Sequence, residues 1–471
     1  MVFSSLPFLF LFLPLVLFLY FLMPTLRAKN ALLIAASLVF YAWGEPVYVF
    51  LMIAMALINW AFGLLIGRGR QAKLLTALAV IFDLGCLGVF KYAGFVTENL
   101  NALFSSQLPV PQIALPIGIS FYTFQILSYV VDVKRGDVAV QRSFWKFLLY
   151  VSLFPQLIAG PIVRYSDVAP QLEHRTSEPE HVFYGLFRFC LGLGKKVLLA
   201  DYAGSAASKI LDSTLAAQTT LGMWFGVLMF MFEIYFDFSG YSDMAIGMGR
   251  MFGFKYPENF RLPYTARSIS DFWRRWHISL SSFFRDYVYI PLGGNRRHVY
   301  LNLAIVWTLT GLWHGANWNF VLWGFYFFVL LAIERPLRKK LERVPGIVRH
   351  ILTLLLILIG WNIFYFTDAT RLGDSFRVLF GLAGVGFVDH QTWILMLNSL
   401  PLAVLCLLCC TPLPQTLGGT LSVLCATNGK SNGLKQYVYS LVMYLFSIAL
   451  FVLSVIALAG SSFNAFLYFR F

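Results

Sequence analysis

Apolar stretches of about 20 residues recur from Phe3 to Phe471, separated by short polar turns. A run of that length lets an α-helix cross the roughly 30 Å hydrocarbon core of a bilayer. Lipid offers no partner for backbone N–H and C=O groups, so a chain of such runs has to be helical. The pattern predicts spans near 6 to 23, 31 to 43, 47 to 66, 74 to 97, 114 to 131, 144 to 162, 183 to 200, 220 to 238, 300 to 316, 318 to 333, 350 to 366, 394 to 411 and 436 to 459. Several of these are short or polar, so the expectation is an all-α polytopic membrane protein of about eleven full spans. Composition excludes the soluble alternative: 59% of the residues are hydrophobic and only 12% charged, about half the charge of a soluble domain.

The charge that remains is informative. Lys and Arg number 36 against 22 Asp and Glu, a net +14. Membrane proteins concentrate such cations in cytoplasmic loops. Arg27 and Lys29, then Arg68, Arg70 and Lys73, then Lys134, Arg135, Arg142 and Lys146, then the run Arg335 to Arg349, and Lys430 with Lys435 mark that side. Both termini are therefore expected outside. No positive residue precedes the first apolar run and no small-residue cleavage site follows it, which predicts a retained span rather than a signal peptide. A nucleic-acid role is excluded, because no basic polar domain exists to carry one. The six cysteines, Cys86, Cys190, Cys406, Cys409, Cys410 and Cys425, lie mostly in apolar runs and read as buried hydrophobes rather than a metal or redox set.

One block breaks the apolar pattern. Between Gly240 and His298 the chain is dense in charge and aromatic residues, too polar to span and too aromatic for a plain loop. Re-entrant or interfacial helices satisfy its backbone where they line protein or a water-filled cavity. Helical spacing over Ser270 to Tyr287 sets Arg274, His277 and Ser281 on one face, and Trp273, Trp276, Leu280 and Phe283 with Phe284 on the other. An interfacial helix with snorkelling arginines explains all of these except His277. The turn Pro291 to Arg297 is a weak anion signal, since no phosphate-loop pattern matches.

The run Trp307 to Phe320 places His314 among apolar and aromatic residues, flanked by Gly311 and Gly315, which permit a bend or the close approach of another backbone. An ionisable group at membrane depth is expensive and marks function by default, and a buried neutral histidine suits general base work. Asp237 and Asp243 either orient a histidine, bind a cation, or cap the next helix, and Asp237 reads equally as a buried hydrogen-bond acceptor with a structural role. No serine-hydrolase elbow, HExxH or kinase set occurs. A single polar centre without paired broken helices argues against an inverted-repeat transporter, although an export subunit with His314 as proton relay stands as the alternative class.

Three runs sharpen this: YFDFSGYSDMAIGMGRMFGFKYPENFRLPY, FWRRWHISLSSFFRDYVYIPLGGN and GLWHGAN. With LPIGISFYTFQILSYVVDVKRG, FPQLIAGPIVRY and the closing FLYFRF, the chain resembles the membrane-bound O-acyltransferase family, in particular its bacterial alginate O-acetyltransferase branch. The resemblance covers nearly the whole length. It implies one membrane domain over residues 1–471, with many helices around a funnel or tunnel and a catalytic core within 240–320. It carries the family's two histidines onto His277 and His314, the latter as base. His277, Asn317 or backbone donors would stabilise the oxyanion. Arg274, Arg275 and Lys255 would hold an anionic donor such as acetyl-CoA, or anionic lipid, with Asp237 and Ser281 in support. No bound cofactor or metal is expected. An extracytoplasmic partner would accept the acetyl group within a polysaccharide synthesis complex; alginate, cellulose or another exopolysaccharide fit as acceptor. Related members act in peptidoglycan O-acetylation and D-alanyl transfer, the latter less in keeping with the alginate-like motifs.

Overall fold

A computed structural model describes residues 1–158, 160–417, 433–460 and 466–467, without the side chains of 216 and 433–437. Cys425, Lys430 and all of the closing FLYFRF run except Phe466 and Leu467 lie outside the described residues. Every regular element among the described residues is helical, as the apolar runs require.

The helices, in chain order, are α1 (Leu13–Leu22), α2 (Leu26–Ala42), α3 (Tyr48–Ile66), α4 (Ala72–Phe104), α5 (Ile119–Arg135), α6 (Phe144–Ser152), α7 (Phe154–Leu157), α8 (Tyr165–Glu173), α9 (Pro179–Gly194), α10 (Asp201–Leu211), α11 (Thr220–Met251), α12 (Ile269–Arg275), α13 (Ile278–Phe284), α14 (Val299–His314), α15 (Trp318–Leu341), α16 (Gly346–Tyr365), α17 (Ala369–Leu379), α18 (His390–Cys409) and α19 (Gly433–Gly460). Among the described residues, seven are long and apolar enough to cross a membrane: α3, α4, α11, α15, α16, α18 and residues 438–460 of α19. The chain is a multi-pass membrane protein. Packing divides it into two compact units, Met1–Phe189 with Tyr241–Glu258, and Cys190–Gly240 with Asn259–Phe471.

Two expected helices are broken. The run 144–162 is not one span: α6 ends at Ser152, the next residue Leu153 has a non-helical ψ of 110°, and Pro155 sits in the first turn of α7, where a missing N–H costs least. The run 270–287 divides at Trp276 and His277 into α12 and α13. A third run is longer than its apolar stretch suggests. α11 continues past residue 238 to Met251, so the charged block begins inside a helix.

In the first unit α5 is buried on every side from Ile119 to Val130. A Cβ on Gly63 of α3 would overlap the Tyr129 ring, so this glycine lets α3 and α5 meet. Asp243 lies within α11 rather than capping a helix; its carboxylate accepts from Arg188 Nε and Nη2 at 3.0 and 2.7 Å. Glu258 takes the same guanidinium at 2.6 and 2.5 Å. In the second unit α14 and α15 form an antiparallel hairpin. A Cβ on Gly311 would strike the Phe320 carbonyl, and one on Gly324 the Trp307 carbonyl, so the expected close backbone approach at Gly311 is met by a glycine on the partner helix.

Candidate active site

The break between α12 and α13 positions His277. Trp276 is extended and His277 sits at φ 45°, ψ 54°, a left-handed conformation that costs a non-glycine residue roughly 1–2 kcal/mol. The segment Asn259–Arg261 runs beside the break and satisfies its backbone. Arg261 N–H donates to the Arg275 carbonyl at 3.0 Å, and Ile278 N–H donates to the Asn259 carbonyl at 3.0 Å. Tertiary hydrogen bonds thus hold a geometry that helix propensity opposes.

Asn259 also fixes the proton of the ring. Its Oδ1 accepts from Ser279 N–H at 3.2 Å and from Ser279 Oγ at 2.9 Å, and a backbone N–H can only donate, so this atom is the amide oxygen. His277 Nδ1 lies 3.2 Å from the same oxygen and must carry the proton. The remaining nitrogen, Nε2, is then a bare lone pair, buried and without a hydrogen-bond partner among the described residues. Burial first, and then repulsion from His314, push the His277 imidazole well below its ordinary pKa of 6.5. The ring is a neutral, orientated acceptor. Phe238 stands edge-on to it at 4.6 Å and Trp313 at 5.7 Å.

His314 is the last residue of α14. Trp313, Trp323 and Phe364 surround its ring with centroids at 5.1, 5.0 and 5.3 Å. It faces a chamber of about 30 Å³ lined also by Asp237, Trp276, Trp361, Phe466 and Leu467, room for little more than one water. Asp237, 2% exposed, pairs with Lys196 at 2.7 Å and accepts the Leu467 N–H at 2.7 Å. Lys196, 4% exposed, also binds Asp201 at 2.7 Å. Its charge is therefore matched, as a buried cation requires.

A second cavity, of about 660 Å³, opens along the other side of the same aromatic wall. Arg274, Arg285, Arg335 and Arg338 line it with Ser281, Tyr289, Asn295 and Thr310. Its one carboxylate, Glu334, accepts the Ile269 and Ser270 N–H groups at 2.7 and 3.2 Å and so holds the start of α12. The floor is Trp273 and Trp307, 4.7 Å apart, and Trp273 meets Trp323 at 5.5 Å. Thr310 lies one helical turn before His314. A cationic cleft thus reaches within one turn and one tryptophan of the histidine chamber. The volume suits a cofactor-sized ligand.

The predicted residues therefore separate. His314 and Asp237 line the chamber; Arg274 and Ser281 line the cleft. His277 does not share their face, because the helix breaks beneath it. Arg275 bonds Asp271 at 2.8 Å and the Thr265 hydroxyl instead of lining the cleft. Asn317 caps α15, accepting from Asn319 N–H at 3.4 Å. Lys255 belongs to the first unit. Sequence reasoning missed Asn259, Glu334 and Lys196. Lys195 and Lys196 inside an apolar run were a usable signal, whereas nothing local distinguishes Asn259.

The family model of membrane-bound O-acyltransferases matches residues 112–365, which include both histidines, the cleft and most of the chamber. A "Probable alginate O-acetylase" of Azotobacter vinelandii is 47% identical over 77% of this chain and 75% of its own length. A "Peptidoglycan O-acetyltransferase" of Helicobacter pylori is 35% identical over 83% of this chain and 81% of its own. A "Teichoic acid D-alanyltransferase" of Bacillus subtilis is 28% identical over 58% of this chain and 78% of its own. The helical membrane fold, the matched segment and the identity over three quarters of these chains agree: this protein belongs to the membrane-bound O-acyltransferase family and is an O-acyltransferase.

Proposed function

We propose that this chain takes acetyl groups from a cytoplasmic thioester, acetyl-CoA, and passes them across the bacterial inner membrane for O-acetylation of an alginate-like exopolysaccharide, through an extracytoplasmic acetyl-accepting partner. Both termini lie outside in this reading. The observation that carries it is the cationic cleft ending one helical turn from His314. Arg274, Arg285, Arg335 and Arg338 suit the phosphates of an anionic donor, and the acyl end, being small and apolar, suits the aromatic wall.

In the chemistry we infer, His314 takes the proton of the acceptor hydroxyl as its oxygen attacks the thioester carbonyl. The tetrahedral intermediate collapses, the C–S bond breaks, and the thiolate recovers the proton. His277 enters as an acceptor that orients the hydroxyl or its neighbour through Nε2. With its one proton on Asn259 it has none to give an oxyanion, so that donor role passes to Asn317 or backbone N–H groups. Asp237, already matched by Lys196, holds the chamber wall.

The name of the A. vinelandii relative supports the alginate-like acceptor; the H. pylori relative supports a second reading, acetylation of peptidoglycan sugars. The test incubates purified protein with [acetyl-¹⁴C]acetyl-CoA and either polymer, with and without extracytoplasmic proteins from the same cells. Label appearing on alginate supports the first reading and label on peptidoglycan the second. An export subunit would neither hydrolyse nor transfer the label, and that result sinks both.

A further inference from the structure

We propose a second ligand site, for a phosphate group, in the first unit. A pocket of about 250 Å³ is lined by Gln171, His174, Arg175, Thr176, His181, Arg250, Gly253 and Lys255. Five of these can be cationic and none is acidic. They come from the end of α8, the loop after it, the start of α9, the end of α11 and the turn beyond, so several independent elements converge on one cavity.

The pocket is built. Gln171 clamps the Lys255 segment, accepting its N–H at 2.6 Å while its own amide donates to the Asp167 carbonyl at 2.6 Å. Gly253 turns at φ 82°, and a Cβ there would meet the Thr176 carbonyl at 2.7 Å, so only glycine lets that loop close. Arg175 is held by Nε donating to the Phe252 carbonyl at 3.1 Å and Tyr20 Oη at 3.2 Å, by Nη1 to the Gln171 carbonyl at 3.3 Å, and by the Phe254 ring 4.3 Å beneath it. Its Nη2 is buried and has no hydrogen-bond partner among the described residues.

A guanidinium immobilised in the wall of a cavity, with four further residues that can be cationic around it, points to an anionic ligand. Glu258 and Asp243 hold Arg188, and Glu173 holds Lys146, so these three acids do not supply it. Charge of this density exceeds what one carboxylate needs and suits a phosphate. The pocket lies at the end of α11, a helix long enough to span, and so at the level where phospholipid headgroups and dissolved phosphate both reach. This site is independent of the donor reading, since it shares no residue with the cleft.

The test uses the full chain in an uncharged detergent. Thermal unfolding is followed by tryptophan fluorescence in inorganic phosphate against chloride of equal ionic strength, and in nanodiscs of phosphatidylglycerol against phosphatidylcholine. The wild type should be stabilised in at least one phosphate arm. Stabilisation by inorganic phosphate assigns a free-phosphate site; stabilisation by phosphatidylglycerol alone assigns a headgroup site. Arg250→Gln and Lys255→Gln should each weaken the response about tenfold, as expected for one charged hydrogen bond, and the double variant should lose it. His181→Gln, on a separate helix, gives the same readout where the double variant does not fold. No response in either arm, or variants that respond like the wild type, overturns the proposal.

Discussion

The cleft and the chamber of the second unit share a wall and contrast in almost every other property. The cleft is wide and carries four arginines around 660 Å³. The chamber is narrow and aromatic, and holds about 30 Å³ beside His314. Binding a large anion needs many donors and room; moving one proton needs a dry, fixed geometry where an electrostatic interaction is not screened. One tryptophan layer, Trp273, Trp307 and Trp323, lets the molecule have both.

The contrast can be broken by experiment. His314→Ala should lower acetyl transfer about 10²- to 10⁴-fold, the usual contribution of a positioned general base, at unchanged protein level; transfer near wild type would remove the chamber from the chemistry. Asn259→Ala frees the His277 ring and leaves buried groups unpaired. It should cost about 1–3 kcal/mol of stability and roughly 10- to 100-fold in kcat, by analogy with the outer-shell partners of metal-bound histidines, measured by unfolding and by turnover. A cleft substitution should behave differently: Arg335→Ala should raise the KM for acetyl-CoA about tenfold with kcat little changed, as loss of a ground-state phosphate contact. An equal fall in kcat would mean that cleft and chamber are not separate in function.

The smallest effect concerns pH. His277 binds its proton less readily folded than unfolded. The unfolded chain therefore takes up the proton first, and stability is lost as pH falls below about 6.5, down to the lowered folded value. Above 6.5 both states are neutral there and the contribution is flat. His277→Asn, which tolerates the left-handed backbone, should show a shallower loss of unfolding midpoint between pH 7 and pH 5. Equal slopes would mean that His277 titrates normally.

Much of this protein was legible from its residues. The apolar runs dictated helices because lipid leaves no other partner for the backbone, and the rarity of charge made His314 and the block after Gly240 stand out. The cysteines in apolar runs are buried as expected where Cys406 and Cys410 pack, 0% and 4% exposed. The lapse at 270–287 has a specific cause. Period 3.6 described the side-chain pattern well, but Asn259 and Arg261, residues with no helical signature, supply the hydrogen bonds that break the helix at His277. Local periodicity cannot register partners 14 to 19 residues away.

Sequence alone determined the solvent, the all-helical class and the residue types that lipid would not tolerate without reason. Only the tertiary structure decided which of them meet: that Arg274 and Ser281 line one cavity and His314 and Asp237 another, that Lys196 neutralises Asp237, and that His277 carries its proton on Nδ1. The physical reason is common to all three. A buried charge or ring nitrogen is defined by the partner that desolvation obliges it to find, and that partner is chosen by packing.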